Sequence, residues 1–275
     1  MSRWRALVDP GWDAAQWRRL ARAGWEAGLY PEQIDWEDHS QGSLLPAPPV
    51  DQAPPVRHGL NVPAAFVELA ERVLCHRDPD RHGLLYRVLW RIGAGERGLL
   101  ERVTDRDVFR LQAMDKAVRR DVHKMKAFVR FRQLPGQADT FAAWFEPEHC
   151  IVDRVAPFFV RRFAGMRWSI HTPYRSAVWD GQALWLGPGG ERSQVPAEDA
   201  GEELWRAYYA NIFNPARLNT RMMRQEMPQK YWHLLPEAQL LPGLVRGAGA
   251  RVQAMAERAP EPPRRKIPAR QRPVG

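Results

Sequence analysis

Apolar residues recur at helical spacing through the first half of the chain and then switch to a period of two. Trp4-Arg5-Ala6-Leu7-Val8 reads as a short strand, and Asp9-Pro10-Gly11 as a turn. Trp17, Leu20, Ala21 and Gly24 then form one stripe, which predicts a helix ending near Gly28. A second helix starts at Pro63, where a missing N–H is harmless, with Phe66, Leu69, Ala70 and Val73 inward. Asp78-Pro79 introduces a third, with Leu84, Leu85, Val88, Leu89 and Ile92 inside and Gly93 as its stop. A fourth begins at Thr104, with Asp107 as a capping-box-like partner, and buries Val108, Leu111, Val118, Val122 and Met125.

At Ala127 the pattern becomes that of a strand, Ala127 to Arg132, followed by the turn Leu134-Pro135-Gly136-Gln137 and a returning strand from Thr140 to Glu146. Pro147 starts a helix carrying Ile151, Val155, Phe158, Phe159 and Phe163, which Pro157 should kink or split and Gly165 should end. Trp168 to Thr172 is a further strand. Asp180-Gly181, between Ser176–Trp179 and Gln182–Trp185, is the strongest hairpin signal in the chain. The remainder reads as helical: Glu202 to Phe213, a helix capped by Asn214 with Pro215 at its first position, and short helices from Pro228 to about Glu257.

These elements predict an α+β fold: a mostly antiparallel sheet of four or more strands packed by helices, with a helical C-terminal part. Residues 1–37 form a strand–helix unit and residues 38–58, rich in proline, a linker. Residues 59–257 form the main α+β domain, with which 1–37 is expected to make one compact unit. Residues 258–275 form a disordered basic tail.

Charge sharpens this picture. The chain of 275 residues has 41 Lys+Arg against 32 Asp+Glu, a formal net charge of +9. Residues 115–175 hold 12 cations and 6 anions, and residues 260–275 hold 5 cations and one anion, so the rest of the chain is close to neutral. Two basic blocks on a neutral body point to a polyanion such as nucleic acid. Lys116, Arg119, His123 and Lys126, at spacings of 3, 4 and 3, fall on one helix face flanked by Arg120 and Lys124. On the strand that follows, alternation puts Phe128, Arg130 and Arg132 together. Cations beside an aromatic can hold a phosphate backbone and stack a base; the other reading is a solvated helix face with snorkelling arginines. Arg217, Arg221 and Arg224 form a second stripe after Asn214-Pro215, at a helix start that could seat a phosphate.

Other chemistry is sparse. Cys75 and Cys150 are the only cysteines, too few for a disulfide framework, a zinc ribbon or an iron–sulfur cluster. No phosphate-binding glycine loop and no metal-ligand spacing occur, so no metal or cofactor is expected. Glu146, His149, His171 and Asp180 could support acid–base catalysis if strand pairing brings them together; each can also be purely structural. Among twelve tryptophans, Trp168, Trp179 and Trp185 lie on adjacent strands and could leave a ring on an open sheet face. No apolar run reaches 18 residues and no signal-peptide core follows Met1, so a soluble cytoplasmic protein is expected, with no membrane contact.

The segment Asp121 to Arg132 resembles the signature of an uncharacterised bacterial family of DNA metabolism or DNA repair proteins. The resemblance continues in Trp144-Phe145-Glu146-Pro147-Glu148-His149, Pro157-Phe158-Phe159, Arg162-Phe163, Met166 to Pro173 and Trp179-Asp180-Gly181. It ends with Tyr208-Tyr209, Ile212 to Asn219 and Met227 to Trp232, and covers roughly residues 1–245. It implies a partner of a radical S-adenosylmethionine protein that modifies or repairs DNA. It also implies a domain that elsewhere is fused to a uracil-DNA glycosylase-like domain. The chain has no CxxxCxxC motif of its own, and the resemblance carries over no catalytic residues.

Three expectations follow. The first is a DNA-binding accessory protein in repair that presents a lesion or base to a partner enzyme. The second is a metal-independent, glycosylase-like enzyme using Glu146, His149, His171 and Asp180. The third is a protein-interaction adaptor that does not touch DNA.

Overall fold

Asp13 starts the first helix by accepting hydrogen bonds from the backbone N–H groups of Ala15 and Gln16. In the computed structural model, this helix, α1 (Ala14–Glu26), connects two short parallel strands, β1 (Trp4–Leu7) and β2 (Ile34–Glu37). The residues described are 3–38, 47–137, 139–196, 219–235, 238 and 240–257. The helical stripe of α1 is buried as its spacing predicts: Trp17, Leu20, Ala21 and Gly24 face inward, joined by Trp25. Helices α2 (Ala64–Val73) and α3 (Arg81–Gly93) bury their predicted stripes against it. Residues 47–58 of the proline-rich segment lie on this layer. Val50 is fully buried, the Pro48 carbonyl accepts from Arg5 N–H, and the Arg57 guanidinium stacks 3.4 Å from the Trp25 ring centre.

Helix α4 (Arg106–Phe128) is the longest element described. Its N-cap is Asp105, whose carboxylate accepts from the N–H groups of Asp107 and Val108, and not Thr104 as the sequence suggests. The predicted strand from Ala127 to Arg132 is corrected at both ends. Helix α4 continues through Phe128, because that ring follows Met125 by three residues on the buried stripe and packs into the core. Val129 turns extended, and strand β3 covers only Arg132–Gln133. The alternation that grouped Phe128, Arg130 and Arg132 on one face therefore does not exist.

The main sheet follows: β3, β4 (Thr140–Trp144), β5 (Arg167–His171), β6 (Arg175–Trp179) and β7 (Leu184–Pro188), neighbours in that order. All pairs are antiparallel except β4 with β5, which run parallel because α5 (Val152–Arg162) crosses between them. The fold is thus α+β with a mostly antiparallel sheet. Helix α5 begins at Val152, not at Pro147. The N–H groups just before it are engaged outside any helix: His149 donates to the Asp121 carboxylate, and Cys150 to the Cys75 carbonyl. Pro157 does not split α5 or end it; it lies on the exposed side, where only one backbone bond is forgone. The hairpin loop is four residues, 180–183, rather than two. The Asp180 carboxylate accepts from Gln182 and Ala183 N–H, and Gly181 takes a φ of +98°.

The chain divides into two units, residues 1–197 and 198–275. Within the second, the described helices are α6 (Thr220–Glu226, capped by Asn219), α7 (Leu241–Arg246) and α8 (Ala248–Glu257). The predicted helix at Glu202–Phe213, the cap at Asn214 and the basic tail lie outside the described residues. No described helix is long and apolar enough to cross a membrane.

Candidate nucleic-acid interface

Helix α4 separates its charges by sign. At about 100° per residue, Val108, Leu111, Met114, Val118, Met125 and Phe128 cluster on one side and are all buried. Its carboxylates lie on or beside that side and are engaged there. Asp107 pairs with Arg87 and Arg91, Asp115 with Arg72, and Asp121, 2% exposed, accepts from the His149 backbone N–H. The opposite face carries Lys116, Arg119, Arg120, His123 and Lys126, all exposed. Among the described residues, only Arg119 of these is tied to an acid, Asp115 at 3.1 Å, and its own side chain stays 65% exposed. The acids are engaged inside and the cations are left mostly outside. That partition turns a helix of mixed composition into a positive surface.

Helix α5 repeats the arrangement. Asp153 is held by a two-toothed ion pair to Arg175, at 2.8 and 3.0 Å, and by the Trp12 indole N–H. Arg154, Arg161 and Arg162 are exposed. Lys126 of α4 sits 4.8 Å from the Phe158 ring of α5, so the two basic faces meet at that contact. The α5 arginines entered the sequence reading only as charge. Their signal was the 4 and 3 spacing of Arg154, Phe158 and Arg161, obscured by the expected break at Pro157.

Other cations named from the sequence are placed differently. Lys124 is half-buried. Arg130 folds back and donates to the carbonyls of Ala127 and Val129, capping the end of α4. Arg132 is 8% exposed and donates to the Pro196 carbonyl at 3.0 Å, which takes its charge off the surface. Arg221 is exposed on α6; Arg217 and the side chain of Arg224 lie outside the described residues.

The four acid–base candidates occupy separate settings. Glu146 accepts from the Trp144 indole N–H. Asp180 sits exposed at the hairpin and accepts from two backbone N–H groups and the Trp185 indole. The His171 ring lies between Ser169 and Ser176 on the sheet, and burial lowers its pKa. His149 stacks on His76 with ring centres 4.2 Å apart and leaves Nδ1 buried without a partner. No two of the four are hydrogen-bonded to each other. Burial pushes the Cys75 thiol up to about 12 and raises Cys150, so both are thiols at neutral pH. Among the described residues, no group of three or more His, Cys, Asp or Glu is arranged to hold a metal ion. Of the three tryptophans, Trp168 is buried and Trp179 half-buried. Trp185, 63% exposed, lies on the sheet face opposite Trp179, its indole tied to Asp180.

Burial holds His149 down to about 4, aided by repulsion from His76 and Arg77, and His82 down to about 4, aided by Arg81. Each binds a proton more readily unfolded than folded. Both therefore support the fold fully above about pH 6.5, and that support is lost as pH falls toward 4. The melting temperature should drop steadily across that window. His149→Phe, which removes an unpartnered buried nitrogen, should flatten the drop; parallel curves for the two proteins would refute the assignment.

Fold and site together define an α+β protein with a cationic two-helix surface and no assembled catalytic cluster among the described residues. The family DUF4130, described as a domain of unknown function, matches residues 79–237, more than half of the chain, and the protein belongs to it. No curated protein and no solved structure matches the chain.

Proposed function

We propose that this protein binds DNA through the outer faces of α4 and α5 and serves DNA repair or DNA metabolism as an accessory to a catalytic partner. The sign separation on α4 carries the reading: Asp115 and Asp121 are engaged inside while Lys116, Arg119, Arg120, His123 and Lys126 face outward. Such a face attracts phosphates and releases counterions from DNA on binding. The partner in this reading is a radical S-adenosylmethionine or glycosylase-type repair enzyme. That part rests on the sequence resemblance, and the two cysteines mean any iron–sulfur cluster must come with the partner.

Fluorescence anisotropy with labelled single- and double-stranded oligonucleotides, undamaged, uracil-containing or ultraviolet-irradiated, tests the proposal. At low salt the full chain should bind, and a damaged strand should compete better than an undamaged one if the chain itself presents the lesion. Absence of binding to every oligonucleotide would leave a protein adaptor as the better description.

A further inference from the structure

Helix α4 carries one large apolar side chain on its cationic face. Phe109 is 64% exposed. Residues 109, 116, 120 and 123 follow one another by 7, 4 and 3, which keeps Phe109, Lys116, Arg120 and His123 within about 40° of one line along the helix. The ring heads this row, about 10 Å before Lys116 and about 20 Å before His123 at 1.5 Å per residue. Exposed Arg106 lies one turn further back. Core packing does not explain Phe109, since the buried stripe of α4 passes through Val108 and Leu111 on either side of it.

We propose that Phe109 is a stacking wedge, and that the preferred ligand is duplex DNA interrupted by an unpaired or unstacked nucleotide. This rests on the proposed DNA-binding role of α4. A backbone held along Lys116, Arg120 and Lys126 for about 15 Å spans roughly four base pairs, and the ring meets the duplex about 10 Å, roughly three base pairs, further on. A phenyl ring has no hydrogen-bonding group, so it cannot read base identity. It can replace a missing stacking partner, and that replacement is most favourable where the duplex is already open. The ligand class is therefore defined by a defect in stacking, whatever the sequence around it. Trp185, similarly exposed, is less suited, because its indole is tied to the carboxylate of Asp180, which repels phosphate.

The test uses the full chain and two labelled duplexes of equal length, one intact and one with a single-nucleotide bulge. Wild type should bind the bulged duplex about tenfold more tightly. Phe109→Ala should erase that preference and leave affinity for the intact duplex unchanged, while Phe109→Trp should retain it. A wild type without preference, or a Phe109→Ala variant that keeps it, overturns the wedge while leaving cationic binding intact. No binding to either duplex overturns the wedge together with the role it rests on.

Discussion

Lys116→Glu, Arg120→Glu and Lys126→Glu combined should weaken binding to duplex DNA on the order of 100-fold at 0.1 M salt. All three side chains are exposed, and Lys116 and Arg120 have no acidic partner among the described residues. Lys126 sits against the Phe158 ring, with no acidic partner among the described residues. Reversal therefore removes three phosphate contacts and adds three repulsions without opening a buried ion pair. The melting temperature should change by less than about 2 °C, since surface substitutions of this kind are nearly neutral. Anisotropy titration and circular-dichroism melting check the two halves. An unaltered affinity would move the DNA-binding surface off α4.

The largest stability effect is expected at Arg81. Its side chain is 5% exposed and joins four parts of the fold: it donates to the carbonyls of Leu74, Asp78 and Gly11 and pairs with Asp38 at 3.1 Å. Gly11 is glycine for the same reason, because a Cβ there would collide with the guanidinium. Arg81→Met would leave those carbonyls and the Asp38 carboxylate short of a donor, at a cost of about 3–5 kcal/mol. That corresponds to a fall in melting temperature of about 10 °C for a unit of this size. Arg81→Lys should recover only part of it, since an ammonium lacks the planar fork. A shift below about 2 °C for Arg81→Met would show that these contacts contribute little. Arg81 lies within the segment matched by the family, whereas Gly11 and Asp38 precede it, so the contacts bind residues outside the match to residues inside it.

How far the structure was legible depends on the range of the interactions involved. The stripes of α1, α2 and α3 are local and periodic, and Trp17, Phe66 and Leu85 are buried where spacing put them. The exposed row from Lys116 to Lys126 was equally visible. What could not be seen was the fate of the acids beside those cations. The partners of Asp115 and Asp121, Arg72 and the His149 N–H, lie tens of residues away. The same holds for Arg132, whose acceptor is the Pro196 carbonyl. At Ala127-Phe128 a short apolar run suits helix or strand alike, and packing of the Phe128 ring decides for the helix. At Pro147 the helix start is displaced by backbone bonds to Asp121 and Cys75 that no local pattern announces.

The central claim is that the outer face of α4, together with α5, holds phosphates. The most direct test is the slope of log Kobs against log salt for wild type and for the triple reversal. With Lys116, Arg119, Arg120, Lys126 and Arg161 facing the backbone, the wild-type slope should be about −4 or steeper. The variant's should be shallower by about 2 to 3, near 0.9 for each contact removed. Equal slopes for the two proteins would contradict the claim.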